Sequence, residues 1–245
     1  MLVALLKILG LLVLAGVASA WGVTAHLSEQ TSHAFDSYVQ AAEDAMRWQP
    51  TLAARKYDEI QVAPWARATP TPVGDSLIHD WVAAVLIPGA NAEQAVKMFQ
   101  RYEDYPSLFP VVIDSRVLSR QENKWRVRLR LRRKGVLTVV VDTDNQIEYR
   151  PLQDGRWAIV SRSGPISEVE NGNPLPPDTG NGFLWRLNAY WLLAPRPGGL
   201  YLECRAISLS RDVPEGLGWL IKPMISGVPR DSLRQTMEAA HRALR

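Results

Sequence analysis

The sequence predicts an α+β domain: an antiparallel sheet of about six or seven strands followed by one long C-terminal helix. Three observations carry this. Strand-like runs succeed one another from residue 76 to residue 211 with turn residues between them. The plainest run, KWRVRLRLRR (124–133), sets Trp125, Val127, Leu129 and Leu131 on one face and Lys124, Arg126, Arg128, Arg130 and Arg132 on the other. That is the period of a half-buried antiparallel strand. Finally, Leu233, Met237, Ala240 and Leu244 mark one face of a helix. A twisted sheet of this size is concave. One helix is too narrow to fill it, so a hollow between the two is expected.

The first twenty residues, MLVALLKILGLLVLAGVASA, hold one charge, Lys7, and end in Ala18-Ser19-Ala20. This reads as a secretory signal cut after Ala20, which predicts a periplasmic or secreted protein. The alternative is an uncleaved membrane anchor, because about twenty apolar residues span a bilayer. The whole chain has 28 Lys plus Arg against 25 Asp plus Glu. Without Lys7 the balance is nearly even, so net charge favours no particular partner. Cys204 is the single cysteine. Stability must therefore come from an ordinary core rather than from an internal disulfide.

Residues 21–74 read as an N-terminal helical extension and linker. A helix is predicted from about Thr31 to Trp48, with Phe35, Val39, Ala42 and Met46 on one face and Pro50 as its stop. A short strand, Tyr57 to Val62, precedes the turn-rich ATPTPVGD (68–75). The apolar stripe needs a partner surface, so the extension should dock on the main domain, residues 75–245.

That domain opens with SLIHDWVAAVLIPG, a strand ended by Pro88-Gly89. Asn91 and Gln94 then form a capping-box pattern, and Ala92, Ala95, Val96 and Phe99 are the buried face of the helix they start. EDYPSLFP breaks it. VVIDSRVLS (111–119), the arginine-rich run, VLTVVVD (136–142), QIEYRP and RWAIVSRS (156–163) follow as strands, with a hairpin signal at Asp154-Gly155. A long Pro/Gly-rich connection, 164–182, is either a lid over a cavity mouth or a surface loop. GFLWRLNAYW (182–191) and YLECRAISLSR (201–211) complete the sheet. After PEGLGWLIKPMISG, Pro229 suits the first turn of the last helix and Asp231 its positive end.

The strings IHDWVAAVLIPGA (78–90), YEDYPSLFPVVIDSRVL (102–118), GFLWRLNAYW, ECRAISLSRDVPEGLGWLI (203–221) and VPRDSLRQTMEAAHRAL (228–244) resemble the START-like (SRPBCC, polyketide-cyclase and lipid-transfer) superfamily. The match spans about residues 75–245 and is nearest to a bacterial subgroup with a signal peptide and an N-terminal helix. The resemblance implies the helix-grip fold, a sheet wrapped around a long C-terminal helix. It also implies a cavity for a sterol, lipid, quinone or polyketide. A minority of the superfamily are cyclases or aromatases, and it has no shared catalytic residues to carry over.

Read as strands, the last two segments offer two faces. One shows Phe183, Trp185, Leu187, Ala189 and Trp191, with Leu202, Cys204, Ala206 and Ser208 beside them. If these face the terminal helix, the small Ala189, Cys204 and Ala206 leave space between aromatics. Otherwise large and small residues interdigitate into a solid core. Trp81, Trp157, Trp185 and Trp191 are the candidate apolar wall. The other face shows Arg186, Asn188, Tyr190, Glu203 and Arg205. Arg186 and Glu203 either pair beneath the N-terminal helix or, with Asn188, form a polar pocket end that holds a carboxylate, phosphate or carbonyl. Arg162 and Glu168 are further members of that cluster. In a cyclase, a buried Glu203 near Arg162 or Tyr190 would be the acid–base group.

Other chemistry finds little support. The four histidines, His26, His33, His79 and His241, form no HExxH motif, and no G-x-S-x-G, P-loop or G-x-G-x-x-G occurs. No catalytic residue, metal or cofactor is predicted, and His79-Asp80 reads as a structural histidine. Arg126, Arg128, Arg130 and Arg132 would give contact with an anionic membrane surface or simply a solvated strand that resists edge association. Nucleic acid is excluded as a partner by the charge balance and by the lack of any recognised motif. The sequence therefore favours a secreted or periplasmic binding protein for a hydrophobic or amphipathic small molecule. A cyclase or aromatase and a solid-cored interaction module are the alternatives.

Overall fold

The computed structural model describes residues 24–54, 56–65, 69–134, 138–212 and 227–245. The expected signal segment and most of PEGLGWLIKPMISG lie outside the described residues. In chain order the elements are β1 (Ala25–His26), α1 (Glu29–Asp44), β2 (Gln61–Pro64), β3 (Thr71–Val73), β4 (Ser76–Pro88) and α2 (Ala92–Gln100). A 3-10 turn (Tyr102–Asp104) and α3 (Tyr105–Leu108) lead to β5 (Val112–Gln121), β6 (Lys124–Lys134), β7 (Thr138–Pro151) and β8 (Trp157–Ser163). Then come β9 (Ser167–Glu170), β10 (Asn173–Pro174), β11 (Thr179–Gly180), β12 (Arg186–Arg196), β13 (Gly199–Arg211) and α4 (Val228–Leu244).

Among the described residues the main sheet has eleven strands, antiparallel throughout, and β1 with β11 forms a separate pair. The path runs β10-β9-β7-β8-β12-β13-β4-β2, with β6 and β5 continuing from β7 and β3 on β4. The architecture is the α+β one expected, but with more strands. The long strands β4, β5, β6, β7, β8, β12 and β13 are those the alternation reveals. The short strand expected over Tyr57 to Val62 is β2, shifted to Gln61–Pro64, and the additional β3, β9 and β10 are two to four residues each, too short to show a period. VLTVVVD from Thr138 onward and QIEYRP, read as separate strands, are parts of the continuous β7, while residues 136–137 lie outside the described residues.

Elements begin where local chemistry dictates. Asn91 Oδ1 accepts the Gln94 N–H at 2.9 Å and starts α2, and Ser28 Oγ accepts the Thr31 N–H at 3.2 Å and starts α1. Helix α1 buries Thr31, Phe35, Val39 and Ala42. It ends at Asp44, short of the expected Trp48, though Met46 and Trp48 still pack against its cluster. Helix α4 buries Leu233, Met237, Ala239 and Ala240.

Helices α1 and α4 cover opposite faces of the sheet. Helices α2 and α4 share one core with Ala83, Val85, Trp191, Leu193, Leu202 and Cys204. This is the inner face. On the outer face α1 packs Phe35 and Val39 against Ile78, Val160, Tyr190, Ile207 and Leu209. The extension also adds β2 and β3 to the edge at β4. It is therefore part of the fold's second layer.

Candidate functional site

Strand register shows which side chains share the inner face, since directly opposed residues point the same way. One row crosses the sheet as Trp81, Ala206, Ala189, Ser161, Ile147 and Trp125. The next is His79, Ser208, Leu187, Ser163, Asn145 and Val127. Two rows on the other side of the first, through Ala83, Cys204 and Trp191 and through Val85, Leu202 and Leu193, are fully covered by the shared core.

The covering is uneven. At the α2 end an aromatic cluster closes the interior. Phe99 lies 4.6 Å from Trp191 between ring centroids, and Tyr102 packs on Trp125 at 5.4 Å. The Tyr102 and Tyr149 hydroxyls are 2.6 Å apart, and Tyr149 donates to the Phe99 carbonyl at 2.8 Å. Burial pushes the Tyr102 phenol well above its ordinary value. In mid-sheet, by contrast, Trp81, Ala206, Ala189, Ser161, Leu187 and Ser163 remain only partly buried. These lie on and beside the central strands, where a filled interior would bury every side chain. The small Ala189 and Ala206 sit opposite one another in this patch.

The candidate tryptophans separate accordingly. Trp81 belongs to the open patch. Trp157 is half-buried at the end of β8 beside Leu193. Trp191 is buried against Phe99, inside the aromatic cluster. Trp185 is on the opposite face from Trp191, under α1 with Ile207 and Leu209. The reason is a lost period. Trp185 N–H bonds to the Leu209 carbonyl and Arg211 N–H to the Gly182 carbonyl, so the incoming chain uses one residue more than β13 over this stretch. Gly182, at φ 78, is needed there: a Cβ would lie 2.5 Å from Arg211 and 2.7 Å from the Trp185 ring.

Arg186, Asn188, Tyr190, Glu203 and Arg162 lie on the outer face, away from the open patch, whereas Glu168 stands opposite Val141, on the side of Leu131. Arg186 pairs with Asp178 through its Nη1 and Nη2. It stands opposite Leu209, while Glu203 stands opposite Leu192, so the Arg186–Glu203 pair does not form. Glu203 instead accepts the backbone N–H groups of Thr51 at 2.9 Å and Leu52 at 3.2 Å, and the Tyr201 hydroxyl. Arg162 makes a two-pronged bond to Glu43 at 2.6 and 2.7 Å, and Tyr190 donates to the same carboxylate at 2.7 Å. Asn188 accepts from Ser163 N–H at 3.2 Å. Glu168 is not a neighbour of Arg162 in this network. It accepts from the backbone of Asn181 at 2.9 Å and Phe183 at 3.0 Å, which ties down the long connection. These groups fasten the extension and the connection to the sheet.

Sequence reasoning missed the most buried ion pair among the described residues. Arg205 binds Asp80 through two bonds of 2.9 and 2.6 Å, Tyr38 donates to Asp80 at 2.7 Å, and the Trp65 ring lies 4.0 Å from the Arg205 guanidinium. Alternation puts both charges on the outer face, but only the register makes them neighbours, through Ala206↔Trp81 and Ile207↔Asp80. The arginine stripe on β6 is also not a free cationic surface. Arg128 and Arg130 bond Asp144 and Asp142, their direct partners on β7, at 2.7 Å.

No family model matches the chain, and no curated protein is significantly similar to it in sequence. Solved structures are similar in fold. A STAR-related lipid transfer protein from Xanthomonas axonopodis aligns at TM-score 0.51 and 17% identity, covering 76% of this chain and 99% of that one. The lipid transfer and protein localization domain of human StarD13 aligns at TM-score 0.53 and 12% identity, covering 90% and 99%. Human STARD10 aligns at TM-score 0.54 and 12% identity, covering 89% and 81%. Sheet, closing helix and these alignments together show that the chain has the START-like, helix-grip fold.

Proposed function

We propose that the protein is a binding protein for a hydrophobic or amphipathic small molecule, held between the inner face of the sheet and α4. The carrying observation is the open patch: Trp81, Ala206, Ala189 and Leu187 remain partly uncovered at the centre of a large sheet whose flanks are packed. Apolar concave surface with few polar groups is the usual character of a ligand site. The lipid transfer proteins among the similar folds support the same reading. A sequence that opens with a signal-like segment favours an exported carrier, periplasmic or secreted.

The cyclase alternative relied on Glu203, Arg162 and Tyr190, whose partners are Thr51, Leu52 and Glu43 on the outer face. A carrier needs none of them in the pocket. Two measurements test the proposal on protein purified from its own cells: mass spectrometry of solvent-extracted small molecules, and displacement of a fluorescent apolar probe. A carrier yields a bound apolar compound and saturable, displaceable probe binding. Failure of both would overturn it.

A further inference from the structure

Among the described residues, two polar atoms on the inner face of β4 have no hydrogen-bond partner. His79 is 5% exposed, and its Nε2 is 3.0 Å from Ser210 Oγ, while its Nδ1 is buried without a hydrogen bond. Two residues on, the Trp81 indole Nε1 is likewise buried and unbonded. Both side chains point to the same face, because Asp80 between them points to the other and binds Arg205 and Tyr38. Their cross-strand neighbours are Ser208 and Ala206. An unmet buried donor costs about 1–3 kcal/mol, and such groups in a folded protein call for a partner.

Charge identifies what kind. The inner-face positions of β4, β13, β12 and β8 around this point are His79, Trp81, Ser208, Ala206, Leu187, Ala189, Ser161 and Ser163, none of them a cation at neutral pH. Burial holds the His79 ring down to about 4, so it is uncharged there as well. Arg133, an inner-facing cation, lies away on β6 and donates to Ser232 of α4. A carboxylate or phosphate brought to His79 and Trp81 would be an unpaired buried charge, several kcal/mol uphill. A neutral oxygen has no such cost and accepts the indole N–H.

We infer that His79 and Trp81 form the polar contact of the pocket and take a neutral oxygen function, a hydroxyl or carbonyl, on an otherwise apolar ligand. This rests on the container reading above and adds its headgroup class. It also moves the polar end from Arg186 and Asn188 to the opposite face of the sheet.

The test uses a pyrene-labelled long-chain alcohol and the matching pyrene-labelled fatty acid, titrated at pH 7.5 into the full mature chain. The alcohol should bind about tenfold more tightly than the acid. Trp81→Phe keeps the ring and removes the N–H. It should weaken the alcohol about fivefold and leave the acid unchanged. His79→Leu should act in the same direction, and if it fails to fold, Trp81→Phe alone decides. In wild type the indole N–H resonance that Trp81→Phe deletes should shift on alcohol binding. Equal affinity for alcohol and acid, or no effect of Trp81→Phe, overturns the headgroup assignment while leaving a container. If neither probe binds, the container itself fails.

Discussion

Arg162 on β8 and Glu43 on α1 are joined by two short bonds, at 2.6 and 2.7 Å, across the outer face of the sheet. Burial alone would raise the Glu43 carboxyl. The Arg162 and Tyr190 hydrogen bonds outweigh it and hold the group below its ordinary value. The pair therefore contributes stability above the usual carboxylate range, and that contribution is lost as pH falls through the lowered folded value. Both partners are partly exposed, so solvent reduces what the pair contributes. Arg162→Ala should cost about 1–2 kcal/mol in urea unfolding. It should also expose the Trp48 to Lys56 segment to protease, since α1 holds the extension down. Probe binding on the inner face should not change.

The Arg205–Asp80 pair predicts a different pattern, because its side chains are 7% and 2% exposed. Asp80→Asn leaves Arg205 buried without a counter-charge and should cost about 3–5 kcal/mol. It also removes the carboxylate that, after burial, raises the Tyr38 phenol to about 12, so the Tyr38 titration should move down. Replacing both charges, as Asp80→Leu with Arg205→Met, should recover most of the loss. A double-mutant cycle by denaturant unfolding measures the coupling. Additive losses in that cycle would mean that the two charges do not share one site.

How much of this was legible depends on which feature is asked about. Period two sorted β6 and β13 correctly into two faces from Trp125 to Leu131 and from Leu202 to Ser208, because those strands are unbroken, while which β13 face meets α4 was settled only by the packing. The same rule failed at Trp185, where the extra residue before β12 reverses the side-chain direction. Arg186, Asn188, Tyr190, Glu203 and Arg162 do share one face, but Glu168, expected in the same cluster, does not. Their partners were not legible, because Glu43, Thr51 and Leu52 come from segments distant in sequence, and Asp178, though near Arg186 in the chain, lies in an irregular connection with no period to place it. The expected Arg186–Glu203 pair beneath the N-terminal helix does not form: Arg186 bonds Asp178, and the carboxylate that α1 supplies to this face is Glu43, held by Arg162. Nothing in the composition of β4 sets His79 apart from an ordinary buried histidine. Its free Nδ1 emerges only once Ser210 is seen on Nε2.

His79 also predicts an acid limb of stability. Burial depresses its ring to about 4, and the Asp212 carboxylate opposes that only in part. In the unfolded chain the same ring titrates near the ordinary 6.5. Between these values the unfolded state takes up a proton that the native state resists. The native state should therefore lose about 3 kcal/mol as pH falls from roughly 6.5 to 4, with no contribution from this group above 6.5. Chemical denaturation at stepped pH reads the slope. His79→Gln should flatten it in that window while leaving the carboxylate-driven loss at lower pH.

The open patch itself is tested by filling it. Ala189 and Ala206 face each other on the two central strands, and both stay partly uncovered on the side closed by α4. In a solid core, Ala189→Phe would force neighbouring rotamers and backbone aside and cost about 1–3 kcal/mol or more. In a hollow one the ring enters vacant space, displaces solvent or ligand, and buries apolar surface against Trp81 and Leu187. The unfolding free energy of Ala189→Phe should then stay within about 1 kcal/mol of wild type, while affinity for an apolar probe falls at least about tenfold. Ala206→Phe should behave alike, and the double substitution should abolish binding, because both rings would claim the same volume. Strong destabilisation without loss of probe binding would mean that this part of the interior is already packed and that any ligand sits elsewhere.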